Sequence, residues 1–420
     1  MAEIVRTIGS GRDYSTIAAW EAGNTTGGWD TSTANTDIWK GVIMDASAFD
    51  ERVVISATTG TRSSSSYQWL TVDSSVRHAG VPGGTNYARL DSSTLRTAIS
   101  IQDDYFRLSD LEITGTANDG GGSSILGGVS VTANHVLIEK CMIWQKNGQS
   151  YNSPADKEYY GITNMGSDSG DTIYIDNCLI FGWATAGVMD RDGAAATFYI
   201  DYCTICLNGD GDEEAGYTGN LGTSFSSTNN STYNLYNNCF AGIGGPFHGQ
   251  TRNTSVDWEI YNQGNSTGNY AGSYNGLTSS SLEEISSQNT SNTMSNWVYA
   301  AGGVTTSTAS TAFIFTDLTF DANDDPSSID FTPVNHANNA LLSAGTNRIG
   351  SEPDSRQDFS VDLAGSTRSA TNTDLGAITL VTSTVSDRFK FYSNNAWSGV
   401  KPMKYWNGTQ WQTVSNTTVA

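Results

Sequence analysis

Four stretches of this chain align without gaps: Phe106-Arg-Leu-Ser-Asp-Leu-Glu-Ile113, Val136-Leu-Ile-Glu-Lys-Cys-Met-Ile143, Ile173-Tyr-Ile-Asp-Asn-Cys-Leu-Ile180 and Phe198-Tyr-Ile-Asp-Tyr-Cys-Thr-Ile205. In each, apolar residues hold the first, third, sixth and eighth places, and the fourth and fifth are mostly polar. Two alternating runs that meet at a polar pair predict two short strands joined at a bend, each with one face buried. A fifth stretch, Tyr233-Asn-Leu-Tyr-Asn-Asn-Cys-Phe-Ala241, matches with a one-residue shift. The sixth place then reads Leu111, Cys141, Cys178, Cys203 and Cys239, at intervals of 30, 37, 25 and 36 residues. Such intervals suit a coil of three short strands with variable loops and are too uneven for equal propeller blades.

Stacking the copies ~4.8 Å apart pairs their backbones and sets like side chains over like in the interior. The predicted fold is therefore all-β, a right-handed parallel β-helix spanning residues 31–380, with loop insertions over about 262–310 where Ser, Thr, Asn and Gly dominate. Four of the five cysteines fall on the single interior place and are expected to form a ladder of small buried side chains. Zinc is not expected, because ligands on stacked turns form a line and not a tetrahedron. The outward fourth place carries Glu139, Asp176 and Asp201 in consecutive copies, where like charges would repel unless screened or bridged by a cation.

Residues 1–30 predict a strand, Ile4–Ile8, and a short helix over Asp13–Ala22, started by Asp13 or Ser15 and stopped by Gly23. A stack of repeats exposes its first turn, so this helix is expected to cap it. The opening residues lack the basic and apolar stretches of a secretory leader, which predicts synthesis in a cytoplasm. With 43 acidic against 21 basic side chains the formal charge is −22, which argues against nucleic acid and acidic membranes as partners.

Near the end, Ala340–Gly345, Asp362–Gly365, Arg368 and Asp374-Leu-Gly-Ala377 resemble the segment that closes the last coil in many β-helix repeat proteins. Residues 384–420 read as a separate small β module: Asn-Asn-Ala-Trp397 and Asn-Gly-Thr-Gln-Trp411 look like two copies of one unit, and Asn407-Gly408 is a two-residue hairpin signal. Its pattern Ala-Trp-x-x-Val-Lys-Pro-x-Lys-x-Trp-Asn-Gly-x-x-Trp is similar to short C-terminal modules of bacteriophage virion proteins. Together with Arg6-Thr-Ile-Gly-Ser-Gly-Arg-Asp-Tyr-Ser-Thr-Ile-Ala-Ala-Trp20, it resembles the β-helical structural proteins of tailed phages, of the tailspike, fibre and decoration kinds. That resemblance implies a virion location, a homotrimer, other capsid or tail proteins as partners, and contact with host surface glycans.

Two acidic turns follow successive repeats, Asp190-Arg-Asp-Gly193 and Asp210-Gly-Asp-Glu-Glu214. Carboxylates ~5–9 Å apart suit glycoside hydrolysis, so Asp190, Asp192, Asp210, Asp212 and Glu213 are the candidates if the chain is a tailspike-like polysaccharide hydrolase or lyase. The turns lack the twelve-residue calcium-loop spacing, and Arg191 is the only basic residue beside them. Pectate-lyase-like and polygalacturonase-like patterns both fail at the residues that do the chemistry. Trp183, Trp397, Trp406 and Trp411 are candidates to present flat faces to sugars or partner subunits, as a passive glycan-binding adhesin would also require. No cofactor and no metal are predicted. The sequence favours a non-enzymatic structural protein of a tailed-phage virion.

Overall fold

The computed structural model describes residues 2–26, 37–56, 62–92, 97–116, 124–146, 157–166, 170–183, 186–190, 196–208, 223–227, 232–243, 259–262, 281–284, 315–317, 330–333, 342, 347–371, 373–374, 376–380, 391–393, 396–398, 404–406 and 411–413. An N-terminal strand, β1 (Glu3–Ile8), and a helix, α1 (Ile17–Thr26), precede a coil of short strands. Its turns are β2 (Ile38–Ile43), β3 (Ala48–Phe49) and β4 (Val53–Ile55); β5 (Gln68–Val72), β6 (Arg89–Ser92) and β7 (Ile99–Ile101); and β8 (Arg107–Ser109), β9 (Glu112–Thr116) and β10 (Ser124–Val131). They continue with β11 (Val136–Glu139), β12 (Met142–Lys146) and β13 (Lys157–Asn164); β14 (Thr172–Asp176), β15 (Leu179–Phe181) and β16 (Ala186–Asp190); β17 (Thr197–Asp201), β18 (Thr204–Asn208) and β19 (Thr223–Ser227); then β20 (Thr232–Tyr236) and β21 (Cys239–Ile243).

Each strand pairs in parallel with its counterpart one turn away, which builds three sheets. Sheet A runs β1-β2-β5-β8-β11-β14-β17-β20, sheet B β3-β6-β9-β12-β15-β18-β21, and sheet C β4-β7-β10-β13-β16-β19. This is the parallel β-helix that the repeat predicts. The four interior places are sealed: Phe106, Val136, Ile173 and Phe198; Leu108, Ile138, Ile175 and Ile200; Leu111, Cys141, Cys178 and Cys203; Ile113, Ile143, Ile180 and Ile205 are all 0% exposed.

The bend between sheets A and B is made by the fifth place of the repeat. Asp110, Lys140, Asn177, Tyr202 and Asn237 all sit in the left-handed region, with φ between 50° and 62°. Asp and Asn tolerate that region, whereas Lys and Tyr occupy it at a cost of roughly 1–2 kcal/mol each. A bond to the next turn offsets the cost: the N–H of Asp110, Lys140, Asn177 and Tyr202 donates to the carbonyl of Glu139, Asp176, Asp201 and Tyr236, at 3.2, 2.9, 3.0 and 2.9 Å. The bend is thus part of the stacking ladder.

The fifth copy aligns without the expected shift, because Phe198 pairs with Tyr233 and Asp201 with Tyr236. Cys239 consequently stands beside Thr204, and Asn238 takes the place above Cys203. The cysteine ladder therefore holds Cys141, Cys178 and Cys203 and ends at Asn238. That amide accepts from Cys203 N at 2.8 Å and donates to Ile200 O at 2.7 Å, which satisfies a polar side chain inside the coil.

α1 begins later than predicted and runs past Gly23. Thr16 Oγ1 caps Ala19 N at 3.0 Å, and the Glu51 carboxylate accepts from Ile17 N and Ala18 N at 2.9 and 3.0 Å, setting a negative group at the helix N-terminus. Asp13 instead holds β1, accepting from Thr7 N at 2.8 Å. Gly23 lies against the Tyr14 ring, where a side chain would collide, so its conservation of space and not a left-handed stop explains the glycine. Ile17 and Trp20 are fully buried in the main core, and Trp20 lies flat over Gly41, where a Cβ would come within 2.6 Å of the indole. The helix thus packs its Ile17 and Trp20 side chains against the first turn. Two further antiparallel pairs, Glu259–Asn262 with Ser281–Glu284 and Phe315–Asp317 with Asp330–Pro333, belong to the same unit, Met1–Leu380. A second unit, Val381–Ala420, contains the hairpins Phe391–Ser393 with Ala396–Ser398 and Lys404–Trp406 with Trp411–Thr413.

Trp20→Ala should uncover the first turn and destabilise the rod by about 3–5 kcal/mol, measured by denaturant unfolding. An unchanged midpoint would mean that the helix does not close the core.

Candidate functional site

The outward fourth place of sheet A forms one column along the rod. In-register pairing aligns Glu139 with Asp176 and Asp176 with Asp201, after the hydroxyls of Thr71 and Ser109 on earlier turns. All three carboxylates face away from the interior, yet they are at most 1% exposed. Residues 347–380 cover them. Among the described residues this segment forms no strand: Val361 bridges Thr367, and Gln357 and Arg368 bond to Asp176 and Asn177 from outside the coil, so it lies as a strap over the bend between sheets A and B.

Each carboxylate has a different partner. Glu139 accepts from Arg107 Nε at 2.6 Å, with Lys140 Nζ 3.9 Å away. Asp176 accepts from Gln357 Nε2 of the strap at 3.1 Å and from Asn177 Nδ2 at 3.3 Å. Asp201 accepts from Arg348 Nε of the strap at 3.2 Å, and that guanidinium also stacks 3.7 Å over Tyr236. Three charges spaced ~4.8 Å apart would repel by about 3.5 kcal/mol per neighbouring pair at an effective dielectric of about 20. Burial pushes Asp201 up to about 7 against the pull of Arg348, and burial with Glu139 nearby pushes Asp176 well above the usual carboxylate range.

Two further strap arginines anchor the cover to the coil. Arg356 is held by Asp354 at 2.8 Å and donates to the carbonyls of Tyr105 and His135, the other left-handed residues of the coil. Arg368, 3% exposed, donates to Asn177 Oδ1 at 2.7 Å and to the carbonyls of Gly376 and Ala377, with its plane 4.2 Å over Tyr202. Phe359 closes on the same Tyr202 ring edge-on at 5.4 Å.

A second group of ionisable residues stands on the outer face of sheet B, where sequence reasoning did not look. Glu112 is fully buried; its Oε1 accepts from Gly83 N at 2.7 Å and Trp144 Nε1 at 2.8 Å. Desolvation raises its pKa, with Arg89 and Asp91 acting on it in opposite senses. The signal was present: Met142 and Leu179 occupy the aligned places on the following turns, so Glu112 is a carboxylate in an apolar column. With no route to solvent it cannot exchange a proton with a substrate, and its geometry is that of a clamp on the loop at Gly83.

The structure corrects two predicted site residues. Asp190 does not lie on a surface turn: it ends β16, pairs in register with Asn164, is 0% exposed and accepts from Asn164 Nδ2 at 2.9 Å. It continues the interior column of Ile101 and Val131, which removes it from any exposed carboxylate pair. Trp183 is no binding surface either, being 2% exposed with its indole donating to Ile143 O at 3.1 Å. Its ring packs over Gly128 and Gly161, where a Cβ would approach to 3.1 and 3.0 Å. Arg191, Asp192, Asp210, Asp212 and Glu213 lie outside the described residues. Trp397 pairs with Tyr392, and Trp406 with Trp411, across the two C-terminal hairpins. Among the described residues no group of three or more His, Cys, Asp or Glu is placed to hold a metal ion, and no helix is long and apolar enough to cross a membrane.

No protein-family profile matches the chain, and no curated protein matches it. Solved structures do match. A pectin methyl esterase of the rice weevil is 15% identical over 55% of this chain and 64% of its own, with a TM-score of 0.31. A pectin methylesterase of Aspergillus niger is 11% identical over 67% and 91%, with a TM-score of 0.32, and a pectate lyase is 10% identical over 90% and 96%, with a TM-score of 0.30. The chain thus spans less than two thirds of the weevil enzyme's length.

Burial raises the pKa of Cys141 and Cys178, and Cys203 is buried beside them. Alkylation of the native chain at pH 8, mapped by mass spectrometry, should leave all three unlabelled and modify them only in denaturant. Labelling in the native state would contradict the ladder.

Proposed function

We propose that this chain is a non-enzymatic structural protein of a tailed-phage virion, a β-helical rod displayed on the capsid or tail as a homotrimer. The observation that supports it best is the strapped flank. On sheet A the carboxylates are bonded to Arg107, Gln357 and Arg348 and sealed beneath residues 347–380, so the long face serves cohesion. A hydrolase or lyase needs carboxylates within hydrogen-bond reach of its substrate, and Glu139, Asp176, Asp201, Asp190 and Glu112 have no such reach. The resemblance of the N-terminal strand and helix and of the aromatic C-terminal module to phage structural proteins supplies the particle context. A net charge of −22 keeps such a surface soluble and repels packaged DNA. Contact with host surface glycans falls to Trp397, Trp406 and Trp411 in the paired hairpins.

Purified particles labelled with antibody to this chain should show it by electron microscopy, and the isolated protein should have about three times the 44.8 kDa chain mass by light scattering. Absence from particles, or turnover of host surface polysaccharide by the pure protein, would overturn the reading. Replacing Trp397, Trp406 and Trp411 together by Ala should abolish cell binding while the far-ultraviolet spectrum of the rod is kept.

A further inference from the structure

We propose that residues 347–380 form a proton-tightened cover: the strap holds sheet A most tightly while Asp176 and Asp201 share protons, and its hold loosens as those protons are lost. The geometry carries the argument. Asp176 and Asp201 are neighbours in one parallel register, both 0% exposed, and each is roofed by one strap side chain, Gln357 and Arg348. Gln357 brings no charge, and Arg348 supplies one cation for two stacked acids. Removing the roof returns both carboxylates to water, where each titrates near ~4. Docking therefore takes up protons.

The surrounding charges leave that balance in place. Asp176 faces Glu139, which is already engaged by Arg107, and Lys140, whose ammonium lies between Glu139 at 3.9 Å and Asp358 of the strap at 4.0 Å. Asp201 faces Arg348 and, further off, Glu352 of the strap, which opposes its ionisation. Asp354 and Asp358 carry lowered pKa values, Asp354 beside Arg356 and Asp358 bonded to Ser360, so they release the strap only under more acidic conditions. His135, lowered by burial and by Arg356, acts in the opposite sense and weakens docking as it protonates. Arg368 keeps company with Asp362, Asp374 and Tyr202 and bonds to neutral oxygens.

The sign follows from linkage. A carboxyl whose value is raised in the docked state favours docking fully below its free value, and loses that contribution as pH rises through the docked value. For Asp201 the window runs from about 4 up to about 7. Within it the docking equilibrium falls about tenfold per pH unit for each proton taken up.

Hydrogen exchange of the full chain at pH 5 and pH 8, corrected for the intrinsic dependence of exchange on pH, tests this directly. Amides of residues 347–380 should be at least ~10-fold better protected at pH 5, while those of β11, β14 and β17 keep equal protection at both. Asp176→Asn with Asp201→Asn should remove the difference, leaving protection flat or slightly lower at pH 5 through His135. The single Asp201→Asn variant, which keeps an acceptor for Arg348, should reduce it and serves if the double variant loses its far-ultraviolet spectrum. Equal strap protection at both pH values in the unmodified chain would overturn the proposal, as would a pH difference that survives in the Asn variants. Neither outcome depends on whether the chain is found in virions.

Discussion

In-register parallel stacking is the constraint from which the rest of this molecule follows. Every side chain meets its own copy ~4.8 Å above and below, so a residue type that suits its neighbour is repeated and one that does not must be compensated. Ile138, Ile175 and Ile200 gain from the rule, and so do the thiols of Cys141, Cys178 and Cys203. Even the left-handed bend gains, since each strained fifth residue passes its N–H to the next turn. A carboxylate column loses. On the early turns the column is hydroxyl, with Ser109 bonded to Thr71 at 2.8 Å, and it becomes acidic only where Arg107 and the strap can reach it.

What was legible in the sequence is what this rule writes locally. Burial selects residue type at every turn, so the first, third, sixth and eighth places announced both the strands and the faces they bury. The polar fourth and fifth places announced the bend. A short N-terminal helix was also legible, but its start is set by Thr16 and Glu51 and not by Asp13 or Ser15. Its limits were misplaced by reading Gly23 as a stop, when the glycine makes room for Tyr14.

The strap was not legible, and the reason is sequence distance. Arg348 meets Asp201 across 147 residues, Gln357 meets Asp176 across 181, and Arg356 meets the Tyr105 carbonyl across 251. A period says which side of a strand a residue faces. It says nothing about what lies on the other side of the gap, so the pattern gives the outer face for Glu139, Asp176 and Asp201 and not the strap that screens two of them. Asp190 shows the converse: its acidic, glycine-flanked surroundings read as a turn, but the register of β16 on β13 puts it in an interior column beside Asn164.

A cover over the acidic column of sheet A changes what the turns beneath it do. Along an open coil, each added turn would extend a groove able to follow a polymer. Here the turns carrying Asp176 and Asp201 add contacts between coil and strap instead, and Arg356 of the strap reaches the carbonyls of Tyr105 and His135. The same covering keeps Asp176 and Asp201 out of solvent. The chemistry of the flank is a consequence of one arrangement: acids forced into a column by register, and a return segment that neutralises them.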